Sequence, residues 1–286
     1  MPVIDRLFLG AGAMKAGTTW LYAMLDKHPD IYFSDEKEVH YFAQVHGVQD
    51  ALSIENRIRR FRRFASSLRA DSYNSRWVRR RLDWFSRWMN EPIDDAWYAS
   101  LFKHRKNQKY VADFSNLTAL IGDAGWQHVK NVAGEVKVIY IMRDPLKRLW
   151  SHVKFHAQYT GRANLLATMT AKEYLAEARA QHLWQNTEYG KIVTTMKRNL
   201  SDDQLMLVFF EDIHADPLGW LRRLEQFLGV KPAEYDAKRL SERINTSTDV
   251  AMPEFFPRLF SDDFRRIHAE LEQQGVKPPS AWTLAS

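Results

Sequence analysis

The chain has 286 residues, 45% hydrophobic, 27% charged and 13% aromatic, enough apolar side chain for the core of one large domain or two small ones. It has no cysteine, which excludes a thiol nucleophile, a disulfide framework and any metal site built on sulfur ligands. The formal net charge of +6 is local: eleven arginines and two aspartates lie between Arg57 and Trp88, so the remainder is slightly acidic, and that segment is where anionic partners would be drawn.

Arg6 precedes the apolar run Leu7 to Met14, but Asp5 and Lys15 bracket that run and argue against a secretory leader. No apolar stretch approaches the ~20 residues of a membrane span, so a soluble, cytoplasmic protein is expected. Brief continuous apolar runs at Leu7–Leu9, Ile31–Phe33, Tyr110–Asp113, Val136–Met142 and Leu205–Phe210 read as strands buried on both faces. Between them come helical patterns: one opened by Thr18 and Thr19, then Leu117–Val129, Leu146–Tyr159, a capping box Thr170 to Glu173, Tyr189–Leu200, and Pro217–Leu228 closed by Gly229. Strands alternating with helices predict an α/β fold, a central parallel sheet of about five strands flanked by helices. The whole of 1–286 is read as one domain, with an inserted basic helical region at about 51–106. In it, Ile54 to Leu68 and Trp77 to Trp88 form a helical pair around a polar break at Ser72–Ser75. The tail beyond Val230 is proline-bearing and loop-rich, with a helix near Phe264–Leu271.

The first loop, Gly10 to Trp20, follows a strand and opens a helix, where backbone amides and the positive helix end converge on an anion. Lys15 adds a movable cation, and Thr18 and Thr19 add hydroxyls. The lysine precedes Gly17 by two residues, so the Gly-Lys-Ser/Thr order of nucleotide triphosphatases is absent. A second stretch, Val138 to Ser151, has a strand ending at Arg143, Asp144-Pro145 starting a helix, and Ser151 eight positions after the arginine. Arginine there offers a planar fork to a phosphate, with the serine hydroxyl about two helical turns on.

Lys15-Ala16-Gly17-Thr18-Thr19-Trp20 resembles the 5′-phosphosulfate loop of sulfotransferases that use 3′-phosphoadenosine 5′-phosphosulfate, and Arg143 to Ser151 resembles the 3′-phosphate motif of that family. The order of Glu188-Tyr189-Gly190-Lys191, of Glu211-Asp212 after the fifth strand, and of Phe227-Leu228-Gly229 follows the family too, and the heparan-type and bacterial branch is the nearest in pattern. The resemblance implies a P-loop-like fold and 3′-phosphoadenosine 5′-phosphosulfate as sulfate donor, with adenosine 3′,5′-bisphosphate as product. It implies in-line sulfuryl transfer to a hydroxyl or amine with no metal required, and it places Trp20 and Tyr189 near the adenine. Lys15 is then the cation for charge growing on the bridging oxygen. Lys37-Glu38-Val39-His40-Tyr41-Phe42 resembles the family's Lys-Glu-x-x-x-Phe segment, which makes Glu38 the general base, and Asp113 at the end of the third strand is the second choice. A basic, glycine-bearing C-terminal motif for the 3′-phosphate has no clean counterpart, and Arg258 and Arg265 are the nearest guesses.

His152 and His156 have a metal-ligand spacing with no third ligand in sight and are read as core or surface histidines. The acceptor is unidentified: a glycan, a lipid or a small molecule. Two other functions stay open at this point, a P-loop-type nucleotide-dependent kinase and a nucleic-acid-binding module using the arginine-rich segment. The kinase is disfavoured by the missing Gly-Lys-Ser/Thr order and the lack of a clear magnesium carboxylate, nucleic-acid binding would leave two separate anion motifs unexplained, and nucleic acid is not the expected partner. The arginines are read first as a solvated amphipathic pair and second as the lining of an acceptor cleft.

Overall fold

The computed structural model describes residues 1–69, 75–242 and 250–282. Five strands, β1 (Ile4–Gly12), β2 (Ile31–Phe33), β3 (Tyr110–Asp113), β4 (Ala133–Met142) and β5 (Leu205–Phe209), form one sheet in the order β2-β3-β1-β4-β5. Every pairing is parallel; Leu7 of β1 lies opposite Val111 on one side and Val136 on the other. Leu7, Phe8 and Leu9 are fully buried, as are Val138 and Tyr140, which is why these strands are continuous apolar runs rather than alternating ones. This is the α/β architecture the sequence predicts.

In chain order the helices are α1 (Thr18–Leu25), α2 (Tyr41–Val45), α3 (Ile54–Ser67), α4 (Arg76–Trp88), α5 (Asp95–Ser100), α6 (Gly122–Val132) and α7 (Pro145–Tyr159), followed by α8 (Ala171–Arg179), α9 (Gln181–Trp184), α10 (Tyr189–Asn199), α11 (Phe210–Ala215), α12 (Pro217–Leu228), α13 (Ala237–Ser241) and α14 (Ser261–Gln273). The arginine-rich pair is α3 and α4, each opened by a serine, Ser53 or Ser75, whose hydroxyl accepts a first-turn N–H. Of the expected polar break, residues 72–74 lie outside the described residues. The Thr170 capping box is present, and Gly229 closes α12 in the left-handed conformation at φ 58°.

Two boundaries differ from the sequence reading. The helix expected over Leu117–Val129 is a 3-10 turn at Thr118–Leu120 followed by α6, because Gly122 at φ 67° interrupts the helical path. The fifth strand stops at Phe209, and Phe210 starts α11, whose first turn carries Glu211 and Asp212 at the positive end of the helix dipole.

The topology fixes where a ligand belongs. From β1 the chain crosses through α1 to β2 on one side of the sheet, and from β4 it runs to β5 on the other. The carboxyl ends of β1 and β4 therefore splay their following segments apart, and a crevice opens between them. The loop 13–17 leaves β1 there and Arg143 leaves β4.

Candidate active site

A cavity of about 1170 Å³ occupies this crevice. Its cationic lining is Lys15, Lys37, Arg143, Lys147 and Lys154, against two carboxylates, Glu38 and Glu242. Thr18, Thr19, Trp20, Asn116 and Ser151 supply further polar atoms, and Trp150, Phe155, Phe210 and Met252 supply the apolar wall. The excess of positive charge in a partly dehydrated cleft suits a polyanion.

The first wall is the loop from β1 into α1. Lys15 at φ 68° and Gly17 at φ 91° turn the chain sharply, and the Ala16 N–H bonds the Ala13 carbonyl at 3.1 Å. A Cβ on Gly17 would meet the Phe210 ring at 2.8 Å, so only glycine fits between this loop and α11. No side chain caps the start of α1. Its first N–H groups remain the positive end of a helix dipole beside the cavity. Lys15 makes no ion pair with a described residue; its ammonium lies 4.7 Å from the centre of the Phe155 ring. Burial, then Arg143, holds the Lys15 ammonium below the usual lysine range. Ala16, fully buried, shapes the turn without reaching the cavity.

The second wall begins at Arg143, whose guanidinium donates to the Lys15 carbonyl at 3.2 Å and lies over the Phe210 ring at 4.7 Å. Arg143 makes no ion pair with a described residue, and its Nε is buried without a hydrogen-bond partner. Asp144 accepts from Leu146 N–H at 2.9 Å and Lys147 N–H at 3.2 Å, and Pro145 occupies the first turn, so α7 starts at a fixed point and Ser151 comes to the cavity two turns later. Arg148 on the same helix is fully buried and bonds Thr187 Oγ1 and, at 3.5 Å, the Met14 carbonyl, bracing the first loop from beneath.

Tyr189 stands one layer below. It is fully buried and absent from the cavity lining; its hydroxyl accepts from Arg143 N–H at 3.3 Å and donates to the Arg143 carbonyl at 3.0 Å. Burial pushes this phenol up to about 12. Trp20 does line the cavity, and its Nε1 is buried without a partner. Glu211 braces the same corner, accepting from Asp144 N–H at 3.0 Å and from Trp282 Nε1 at 3.1 Å.

The third wall is the loop after β2. Glu38 stands at φ 64° and His40 at φ 62°. Glu38 Oε1 accepts from Lys37 Nζ and from Asn116 Nδ2, both at 3.0 Å, and Oε2 is 3.8 Å from His40 Nε2. Burial disfavours this carboxylate, but the neighbouring His40 imidazole and the charge of Lys37 outweigh it and hold the group at about 2. It is therefore ionised at neutral pH. Lys37 also reaches Thr19 Oγ1 at 3.2 Å, tying this loop to α1.

Asp113 is 2% exposed and does not line the cavity. It accepts from Ser115 Oγ at 2.6 Å and Tyr98 OH at 3.1 Å, and burial raises its pKa. Ser115 Oγ in turn accepts from His40 N–H at 2.8 Å, and the Val39 N–H bonds the Asp113 carboxylate directly, so Asp113 holds the Glu38 loop both directly and through Ser115.

Sequence reasoning missed Asn116 and the apolar wall from Phe155, Phe210, Leu240 and Met252. Asn116 could have been found as the polar residue just past the end of the third strand; Leu240 and Met252 come from the loop-rich tail, where no periodicity marks them. Arg258 and Arg265 are exposed and outside the cavity lining. His152 accepts from Arg148 at 3.1 Å, and His156 pairs with Glu177 at 2.5 Å. Among the described residues no three side chains gather as metal ligands, and no helix is long and apolar enough to cross a membrane.

The fold is shared with sulfotransferases of known structure. A sulfotransferase from Alicyclobacillus acidocaldarius is 21% identical and superposes with a TM-score of 0.66 over 99% of this chain and 98% of its own. The sulfotransferase domain from the curacin biosynthetic pathway is 16% identical, TM-score 0.58, covering 98% of this chain and 99% of its own. That of the Synechococcus PCC 7002 olefin synthase is 20% identical, TM-score 0.52, covering 99% and 91%. No curated protein matches the sequence. Residues 8–234 match the model of the sulfotransferase family, and the chain belongs to that family of transferases.

Proposed function

We propose that this sulfotransferase takes 3′-phosphoadenosine 5′-phosphosulfate as donor, with the 5′-phosphosulfate on the Lys15 loop and the 3′-phosphate on Arg143 and Ser151. The observation that carries the reading is the meeting of two cations, Lys15 and Arg143, at the ends of adjacent strands, neither in a direct ion pair with a described acid. The residues fit such a group: Arg143 Nε and Trp20 Nε1 are buried donors without partners, and the start of α1 is uncapped.

The donor supplies an activated sulfuryl group: as the acceptor oxygen or nitrogen bonds to sulfur, the bond from sulfur to the bridging oxygen breaks and adenosine 3′,5′-bisphosphate leaves. Lys15 and the N–H groups of the 13–17 loop neutralise the charge that grows on the bridging oxygen. Glu38, ionised at neutral pH and lining the same cavity, takes the acceptor's proton on its carboxylate. Tyr189 positions Arg143 through its backbone, Trp20 offers the aromatic surface for the adenine, and Asp113 supports the Glu38 loop through Ser115. The acceptor hydroxyl or amine belongs to a glycan, a lipid or a small molecule.

Calorimetric titration tests the donor assignment. Adenosine 3′,5′-bisphosphate is expected to bind more tightly than ATP. Arg143→Ala is expected to weaken the bisphosphate by ~10- to 100-fold, as charge-assisted hydrogen bonds of about 1.5–3 kcal/mol are lost, while leaving adenosine 5′-phosphate almost unchanged. Equal losses for both nucleotides would overturn the assignment.

A further inference from the structure

The inserted helical pair does not simply stand in solvent; its inward arginines grip the loop that carries Glu38. Arg60 of α3 donates from Nη1 to the Lys37 carbonyl at 3.2 Å and from Nη2 to the Glu38 carbonyl at 2.8 Å, one planar fork across two successive peptides. Its guanidinium lies over the Trp88 ring of α4 at 5.2 Å and 4.0 Å from Glu36, and its side chain is 21% exposed. Arg81 of α4 bonds the Asp35 carbonyl and the Glu36 carboxylate, and Arg80 bonds the Asp35 carboxylate.

Four consecutive residues, Asp35 to Glu38, are thus held from one side by two helices. The hold matters because Glu38 and His40 both occupy left-handed backbone, which non-glycine residues adopt at a cost of order 1 kcal/mol or more unless their surroundings compel it. The compelling contacts are few. The Asp113 carboxylate takes the Val39 N–H, and on either side of it Ser115 Oγ takes the His40 N–H and Arg60 donates to the Glu38 carbonyl. Between those anchors the Glu38 side chain is aimed at Asn116 and the cavity.

We infer that Arg60 is a positioning residue for sulfuryl transfer: its fork on the Lys37 and Glu38 carbonyls keeps the left-handed turn that points the Glu38 carboxylate at the acceptor. The inference rests on the reading of Glu38 as the base, and it gives the insertion a part in turnover. Arg60 touches no reacting atom, and it lies outside the cavity lining.

The test is kcat, acceptor KM, the affinity for adenosine 3′,5′-bisphosphate and the denaturation midpoint of Arg60→Gln, Arg60→Lys and Glu38→Gln, measured in parallel. Arg60→Gln is expected to lower kcat by ~100-fold, the order of loss that misplacing a catalytic group by about 1 Å produces, with bisphosphate affinity unchanged. Arg60→Lys keeps the charge and the stem but not the fork. It is expected to fold and recover only part of kcat, and it decides the matter should Arg60→Gln fail to fold. Wild-type kcat in Arg60→Lys, or in a folded Arg60→Gln with only a lower midpoint, would reduce Arg60 to a stabilising contact and overturn the inference. A parallel fall in bisphosphate affinity and kcat would overturn it as well. Wild-type turnover in Glu38→Gln would remove the base assignment itself, whereas a slow Glu38→Gln beside a normal Arg60→Gln would remove only the role given to Arg60.

Discussion

Lys15 and Arg143 at the crevice meet a different environment from Arg57, Arg60, Arg80 and Arg81 in the inserted pair. The four arginines of the insertion are spent within the chain: Arg57, fully buried, bonds the carbonyls of Leu52 at 3.1 Å and of Trp88 and Asn90 at 3.0 Å, and pairs with Glu91, while the other three hold residues 35–38. Lys15 and Arg143 have backbone and ring contacts but no direct ion pair with a described acid; Glu38 acts on Lys15, and Glu211 and Asp144 on Arg143, only through space. The same side-chain chemistry is structural in one place and open to a ligand in the other, and what separates the two is the pairing, not the density of charge along the sequence. A run of eleven arginines draws the eye, yet the candidate chemistry lies with single cations spaced far apart in the chain.

Substitutions can break that contrast. Lys15→Ala is expected to lower kcat by ~10²- to 10³-fold, the usual loss for one donor to a developing oxyanion, with the denaturation midpoint unchanged since no described acid is left unpaired. Retained turnover would deny Lys15 its role. Arg57→Ala is expected to do the reverse, costing about 2 kcal/mol of stability by chemical denaturation because buried carbonyls lose their donor, with bisphosphate affinity intact. A loss of affinity without loss of stability would place Arg57 on the wrong side of the comparison.

The smallest effect is on pH. Lys15 acts as the cation and its pKa is depressed, so turnover is expected to fall as pH rises through a value below the ordinary 10.5. Arg143 contributes to that depression, so Arg143→Ala should move the alkaline limb upward at saturating donor. Glu38, held at about 2, stays ionised and contributes no acid limb between about pH 5 and 7. Its contribution to folding is complete above the ordinary carboxylate value and is lost only as pH falls toward 2. A limb at or above the lysine norm in a rate profile would contradict the burial of Lys15.

Much of this was legible in the residues themselves. The strands announce themselves because burial on both faces leaves no polar alternation to confuse them, as in Val138 to Met142. The two stretches that the fold brings to one crevice could be picked out because their spacing is short and local: lysine two before glycine, serine eight after arginine. The left-handed turns at Glu38 and His40 were not, since neither is glycine and the groups that contact this loop are remote in sequence, Arg60 22 positions from Glu38 and Asp113 and Ser115 farther still. Nor was the depth of Tyr189, whose hydroxyl serves the Arg143 backbone instead of facing the cavity. The direction in which each arginine of α3 and α4 points depends on which loop packs beneath, and local pattern carries no information about that.

Glu211 joins segments of the chain that are remote in sequence. One carboxylate oxygen takes the Asp144 N–H at the rim of the crevice and the other takes the indole of Trp282, whose ring also lies 5.9 Å from Tyr189. The sheet and the two crevice walls are built from residues that precede Trp282, so the corner beneath Arg143 is closed by a contact from far along the chain. Trp282 is therefore a keystone: a residue outside the cavity lining braces the corner on which Arg143 stands.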